Sequence, residues 1–164
     1  MNTKVYDTRK PVIYLAAPYA SPHPEVSVTR VEAVTRFAAL LMKEGKAVFS
    51  PITQGHEVQR FLPPELAHDH DFWLPPDLAI LQRCDMLVIL PLPGWRESVE
   101  VRTEVAAAMT FNVTVALYKS RAGENFGEDA VTQAEADSFF LEIAAGLLAE
   151  NHEAASGIAV PKLH

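Results

Sequence analysis

One cysteine, Cys84, stands among the 164 residues of the chain. A single thiol builds neither a disulfide framework nor a cysteine-rich zinc site, and beside an apolar run it reads as a small buried residue. Glycine is sparse, and the phosphate-cradling patterns that depend on it are missing. Neither G-x-G-x-x-G nor G-x-x-x-x-G-K-[ST] occurs, which excludes the usual dinucleotide fingerprint and a P-loop. The absence of G-x-S-x-G excludes a serine hydrolase built on that elbow. Positive charge is in deficit: 14 Lys and Arg against 21 Asp and Glu give a formal net charge of −7. That balance argues against a surface for a nucleic-acid polymer, which requires clustered cations, but leaves room for a small anion in a local pocket. No apolar run approaches the roughly 18 residues of a membrane span, and MNTKVYDTRK lacks the apolar core of a signal peptide. These absences lead us to expect a cytoplasmic protein with no membrane partner.

The length suits a single domain over residues 1–164, enough to bury roughly two-thirds of the unfolded surface in one core. Four apolar runs read as buried strands: VIYLAA from Val12, KAVFSP from Lys46, MLVILP from Met86 and VTVALYK from Val113. Between the first two, Val31, Val34, Ala38 and Leu41 recur near helical spacing, predicting a helix over residues 25–44 that stops at Gly45. Thr53 to Pro76 reads as a long polar and aromatic excursion punctuated by prolines. Asp77 then opens a short helix, DLAILQRC. A helix follows Ser98 to about Phe111, AGENFGED reads as a loop, and TQAEADSFFLEIAAGLLAEN as an amphipathic helix. Strands alternating with helices predict an α/β three-layer sandwich, with a mostly parallel, Rossmann- or flavodoxin-like sheet of four to five strands. Ligands in such sheets bind beyond the carboxyl ends of the strands, here residues 18–21, 50–56 and 91–98.

The polar oddities cluster at those ends. Ser98 is a good N-cap. With a helix starting at Val99, residues Val101, Glu104, Val105 and Ala108 share one stripe, placing a carboxylate on the core-facing side. Burying a lone carboxylate is costly, so Glu104 is paired, hydrogen-bonded or functional, unless it sits at the boundary and reaches Arg102 or solvent. Asp77 serves as a helix cap or as a site residue, and Asp85 as the cap of a turn. The HDHD string, His68 to Asp71, resembles a ligand set but lies in a proline-flanked stretch that reads as solvated loop. His56 follows the second strand. Phe72 and Trp73 either cover a planar ligand or pack the excursion down.

Three blocks carry a resemblance. VIYLAAPYA, DLAILQRCDMLVIL and SVEVRTEVAAAM are similar, in this order and on these elements, to the signatures of the nucleoside 2-deoxyribosyltransferase superfamily. That superfamily includes 2′-deoxynucleoside 5′-phosphate N-hydrolases and CMP-type N-glycosidases. The likeness spans about residues 11–118. It implies an N-glycosidase or 2-deoxyribosyltransferase in which Glu104, six residues after Ser98, is the nucleophile on the anomeric carbon. It further implies that Tyr14, at the end of the first strand, orients Glu104 and that Asp77 holds a ribose hydroxyl or protonates the leaving base. Ser98 would bind the 5′ end of the substrate and Trp73 would stack on the base, with Ala17 and His56 as further substrate-binding residues. Hydrogen bonds from Tyr14 are expected to outweigh burial and keep Glu104 ionised.

The resemblance implies a nucleoside or nucleotide as ligand, no cofactor, no metal and a homo-oligomer whose neighbouring subunit helps complete the pocket. The chain departs from the family pattern in three places. Glu100 and Arg102 stand where relatives carry glycine just after the serine, and Ala17 where glycine is common. Arg96 and Arg102 are the cations that would offset Glu100, so nucleoside and nucleotide both stay open. Two rivals also stay open: a non-catalytic nucleotide-binding module on the same fold, and a metal-dependent phosphohydrolase using His56, His68, Asp69 and His70.

Overall fold

The computed structural model describes Thr8 and residues 10–156. Its elements in chain order are β1 (Val12–Ala16), α1 (Pro24–Lys43), β2 (Ala47–Phe49), α2 (Pro51–Val58) and a 3-10 turn (Gln59–Phe61). They continue with α3 (Pro64–Ala67), α4 (His70–Leu81), β3 (Met86–Ile89), α5 (Val99–Thr110), β4 (Thr114–Leu117) and α6 (Gln133–Ser156). The described residues divide into two compact units between Ala130 and Val131, with α6 in the second. The tail beyond Ser156 lies outside the described residues. Among the described residues no helix is long and apolar enough to cross a membrane.

The sheet is four-stranded and wholly parallel, in the order β2-β1-β3-β4. Parallel strands need crossovers, and the helices that supply them cover both faces. The alternation along β1 shows how. Ile13, Leu15 and Ala17 join one buried cluster with Val34, Phe37 and Leu41 of α1. Tyr14 points to the opposite face, toward α5. The result is the three-layer α/β sandwich expected from the alternating pattern. Asp85 aligns the central pair of strands: Val12 N donates to its Oδ2 at 2.8 Å, and its own N–H donates to Val12 O at 3.0 Å. Its role is therefore to join β3 to β1. Cys84 is buried, as expected, and its Sγ donates to Ile80 O at 3.3 Å.

The expected stop at Gly45 is a left-handed cap. Gly45 has φ +80°, its N–H donates to Met42 O at 2.9 Å, and Lys46 N donates to Leu41 O at 3.0 Å. This pair of bonds satisfies carbonyls that the helix end leaves open. A Cβ in that conformation is strained, so Gly45→Ala is expected to lower stability by about 1 kcal/mol in urea unfolding. An unchanged midpoint would show that the cap relaxes freely.

Three expectations are corrected. The stretch from Thr53 to Pro76 is largely helical, and Asp77 does not open its helix: α4 begins seven residues earlier, at His70. Asp69 is the N-cap, accepting from Asp71 N at 2.9 Å, so HDHD is a helix start and not a loop. Pro75 and Pro76 lie inside α4, where each removes a backbone donor. The carbonyls they leave unpaired belong to Asp71 and Phe72, both exposed residues that water can reach. Punctuation by proline is therefore tolerated on this solvent-facing turn.

Candidate functional site

Helix α5 sets the position of Glu104. Ser98 has extended backbone and caps the helix, its Oγ accepting from Val101 N at 3.3 Å. Val101, Glu104, Val105 and Ala108 are then the buried residues of α5, the stripe the spacing predicted. Glu104 is 7% exposed. The phenol of Tyr14 donates to its Oε1 at 2.7 Å. Tyr14 is fully buried and lies at the centre of β1 rather than at its end.

The electrostatics run against one expectation. Burial pushes the Glu104 carboxyl up to about 8, and the charges of Asp77 and Glu100 add to the rise. The Tyr14 hydrogen bond lowers it, but less. One phenol does not replace the hydration a carboxylate loses in a nearly closed interior, so desolvation prevails. Burial also pushes Asp77 up to about 6. Tyr14 is raised far above the usual phenol range, first by burial and then by the nearby carboxylates. It is a neutral donor throughout the working range.

Glu104 opens onto a cavity of about 490 Å³ at the carboxyl ends of β1 and β2, within the usual range for small-molecule sites. Five of the seven expected site residues line it: Ala17, His56, Trp73, Asp77 and Glu104. Tyr14 stands behind Glu104 as its donor. Ser98 is at the N-cap of α5 and is not among the lining residues; its hydroxyl donates to Glu100 Oε2 at 2.8 Å. Glu100 does line the cavity.

Local structure carries each side chain there. Ser50 caps α2, accepting from Thr53 N at 3.2 Å, and so starts the helix that bears His56. Trp73 on α4 donates its indole N–H to Ala67 O at 3.0 Å. Its ring lies over Gly55, at ordinary contact distance from where a Cβ would stand. With its polar edge satisfied, the indole presents apolar surface to the cavity.

Sequence reasoning missed a polar network on the same wall. Tyr19 Oη meets His56 Nδ1 at 3.2 Å, and Gln59 Nε2 donates to Tyr19 Oη at 2.8 Å. Arg30 was missed as well. It donates to Ala20 O at 2.7 Å and to Pro93 O at 2.8 Å, tying the loop after β1 to the loop after β3. Tyr19 follows the prolyl turn closely enough to have been suspected; Gln59 and Arg30 carried no local signal. Of the residues named for metal binding, His56, His68 and His70 line the cavity while Asp69 caps α4. Among the described residues no group of three or more His, Cys, Asp or Glu side chains is gathered to hold a metal ion.

The sequence pattern of the family described as a domain of unknown function, DUF1937, matches residues 11–120. The chain belongs to the DUF1937 family. No curated protein matches it. The DUF1937 match contains all four strands, the cavity and the Tyr14–Glu104 pair, and leaves α6 outside. A cavity of this kind, holding two carboxyl groups of raised and unequal proton affinity, suits chemistry that needs one acid and one base or nucleophile.

Proposed function

We propose that this DUF1937 domain is an N-glycosidase that cleaves the bond between base and sugar in a nucleoside or nucleoside 5′-monophosphate. The observation that carries this reading is the buried Glu104, held by Tyr14 at 2.7 Å and facing a cavity that also contains Asp77. The likeness of three sequence blocks to the nucleoside 2-deoxyribosyltransferase superfamily supports it.

In this mechanism a Glu104 oxygen attacks the anomeric carbon and the C–N bond breaks, its electron pair leaving with the base. Asp77 delivers a proton to the departing base. The sugar is then esterified to Glu104, and the difficult displacement has been divided into two easier ones. Water, giving its proton to Asp77, or a second base in a transferase, attacks the same carbon and frees the carboxylate. Trp73 would stack on the base and His56 border it. Ala17 would lie near the 5′ end, and Ser98 would support that end through its contact with Glu100. As in the resembled superfamily, the enzyme would be a cytoplasmic homo-oligomer.

The raised values fit a shared proton. Between about pH 6 and about 8 the carboxyl pair carries one proton, and its titration belongs to the pair. The productive form has the proton on Asp77 and the charge on Glu104. The expected kcat/KM profile is therefore a bell with limbs near 6 and 8. Asp77→Asn should lower the rate roughly 10²–10⁴-fold and abolish the alkaline limb, because no proton is then lost from the acid. An alkaline limb that survives in Asp77→Asn would remove Asp77 from this role.

The direct test incubates the protein with ribo- and deoxyribonucleosides and their 5′-monophosphates and separates the products by chromatography. Free base without free phosphate is the expected result. No base from any of them sinks the reading. One observation favours a second reading: with Glu104 pushed up to about 8, only about a tenth of it is ionised at pH 7 by simple titration. A non-catalytic nucleotide-binding module tolerates a protonated carboxyl there, and it would show calorimetric binding with no released base.

A further inference from the structure

We infer that the site accepts a nucleoside with a free 5′-hydroxyl and turns away the corresponding 5′-monophosphate, with Glu100 making the distinction. The inference rests on the N-glycosidase reading and narrows its substrate.

The cavity lining holds three carboxyl groups, on Asp77, Glu100 and Glu104, and no lysine or arginine among the described residues. A phosphate carrying nearly two negative charges would meet no lysine or arginine there, only the imidazoles of His56, His68 and His70 set against three carboxyl groups. Arg96 and Arg102, the cations expected to offset Glu100, do not line the cavity, and Arg30 gives its guanidinium to the carbonyls of Ala20 and Pro93. The first turn of α5 is where an anion would otherwise find free N–H groups and the positive end of the helix. The protein's own anion stands in that turn. Glu100 lies in this turn and accepts the Ser98 hydroxyl at 2.8 Å, which fixes its carboxylate and occupies the hydroxyl proton a phosphate would need.

The same arrangement suits a hydroxyl. A carboxylate accepts a charge-assisted bond from a sugar O–H, whereas it repels a phosphate oxygen. Glu100 and Glu104 are four residues apart on one helix, so their side chains neighbour one another. The charge of Glu100 accordingly reaches the Glu104 carboxyl. One helical turn, about 5.4 Å, is the scale of a furanose from its anomeric carbon to its 5′-oxygen. With the anomeric carbon at Glu104, the 5′ end falls to Glu100.

The experiment measures kcat/KM for base release by the full chain on matched nucleosides and 5′-monophosphates, in wild type and in Glu100→Gln. Wild type should prefer nucleosides by roughly 100-fold or more. Glu100→Gln should narrow that preference at least tenfold, chiefly by faster release from monophosphates. As a second measurement, Trp73 fluorescence in Glu104→Gln should respond to a nucleoside at concentrations where its monophosphate has no effect. Equal or better release from monophosphates in wild type overturns the inference and leaves the N-glycosidase reading standing. An unchanged preference in Glu100→Gln removes Glu100 as the discriminator. Release from neither class overturns the N-glycosidase reading, and the inference falls with it.

Discussion

Replacing Glu104 with glutamine is expected to end base release and, at the same time, to make the protein more stable. The two effects share one cause. Glu104 is buried, and burial pushes its carboxyl from 4.5 up to about 8. A group whose folded value is raised costs the folded state nothing below its unfolded value, because both states then hold the proton. As pH rises above about 4.5 the unfolded chain releases that proton and the folded chain does not. Stability falls by about 1.4 kcal/mol per pH unit until the folded group also ionises near 8. The full loss is on the order of 5 kcal/mol. Glutamine has nearly the same shape, can accept the Tyr14 phenol through Oε1, and has no proton to lose.

The gap between Glu104→Gln and wild type should therefore be near zero at pH 4.5 and widen toward pH 8. Near pH 8 a difference in melting temperature of roughly 10 °C is expected. Base release should drop by roughly four orders of magnitude, since an amide cannot form the glycosyl ester. Calorimetry across the pH range checks the first effect and chromatography the second. A stability gap that does not vary with pH would mean that Glu104 is ionised in the fold and that the account of its burial is wrong. A residue retained at such a cost to stability fits a functional carboxylate better than a structural one.

Much of this site is legible in the sequence. The stripe Val101, Glu104, Val105, Ala108 follows from helical spacing once Ser98 is recognised as a cap, and all four are buried. The strands were legible because both faces of a parallel sheet are covered, so their residues form short, nearly continuous apolar runs. Helix α4 was not legible. Pro75 and Pro76 are strong breakers, and only the solvent exposure of the turn before them makes the helix tolerable. This concealed the true cap, Asp69, and assigned Asp77 to a helix start when it lies seven residues inside α4. The Tyr19–His56–Gln59 network was hidden as a network, because Tyr19 and His56 are 37 positions apart and nothing local to either pointed to the other. Glu100 was visible as a departure but not as a contact. Its partner, Ser98, had been assigned to the ligand. The balance between desolvation and one hydrogen bond at Glu104 was also beyond the sequence, since it depends on how completely the cavity excludes water.

Tyr14→Phe tests that balance. The phenol donates to Glu104 at 2.7 Å and is the one contribution that lowers the Glu104 carboxyl. A hydrogen bond to a charged group contributes about 1.5–3 kcal/mol, so its loss should raise Glu104 by roughly one to two pH units. In the shared-proton form this draws the proton from Asp77 onto Glu104 and depletes the productive arrangement. Two linked changes follow. The maximum of kcat/KM should fall roughly 10- to 100-fold, and the alkaline limb should move from about 8 toward about 9 to 10. The acid limb, set by Asp77, should stay near 6. General damage to the site predicts something else: a lower rate at every pH with both limbs in place. Phenylalanine fits the space that Tyr14 fills between β1 and α5, so the fold should persist, and the melting temperature measured at pH 4.5 should change little. If the alkaline limb does not move, Tyr14 only packs against Glu104, and the proton equilibrium of the carboxyl pair is set without it.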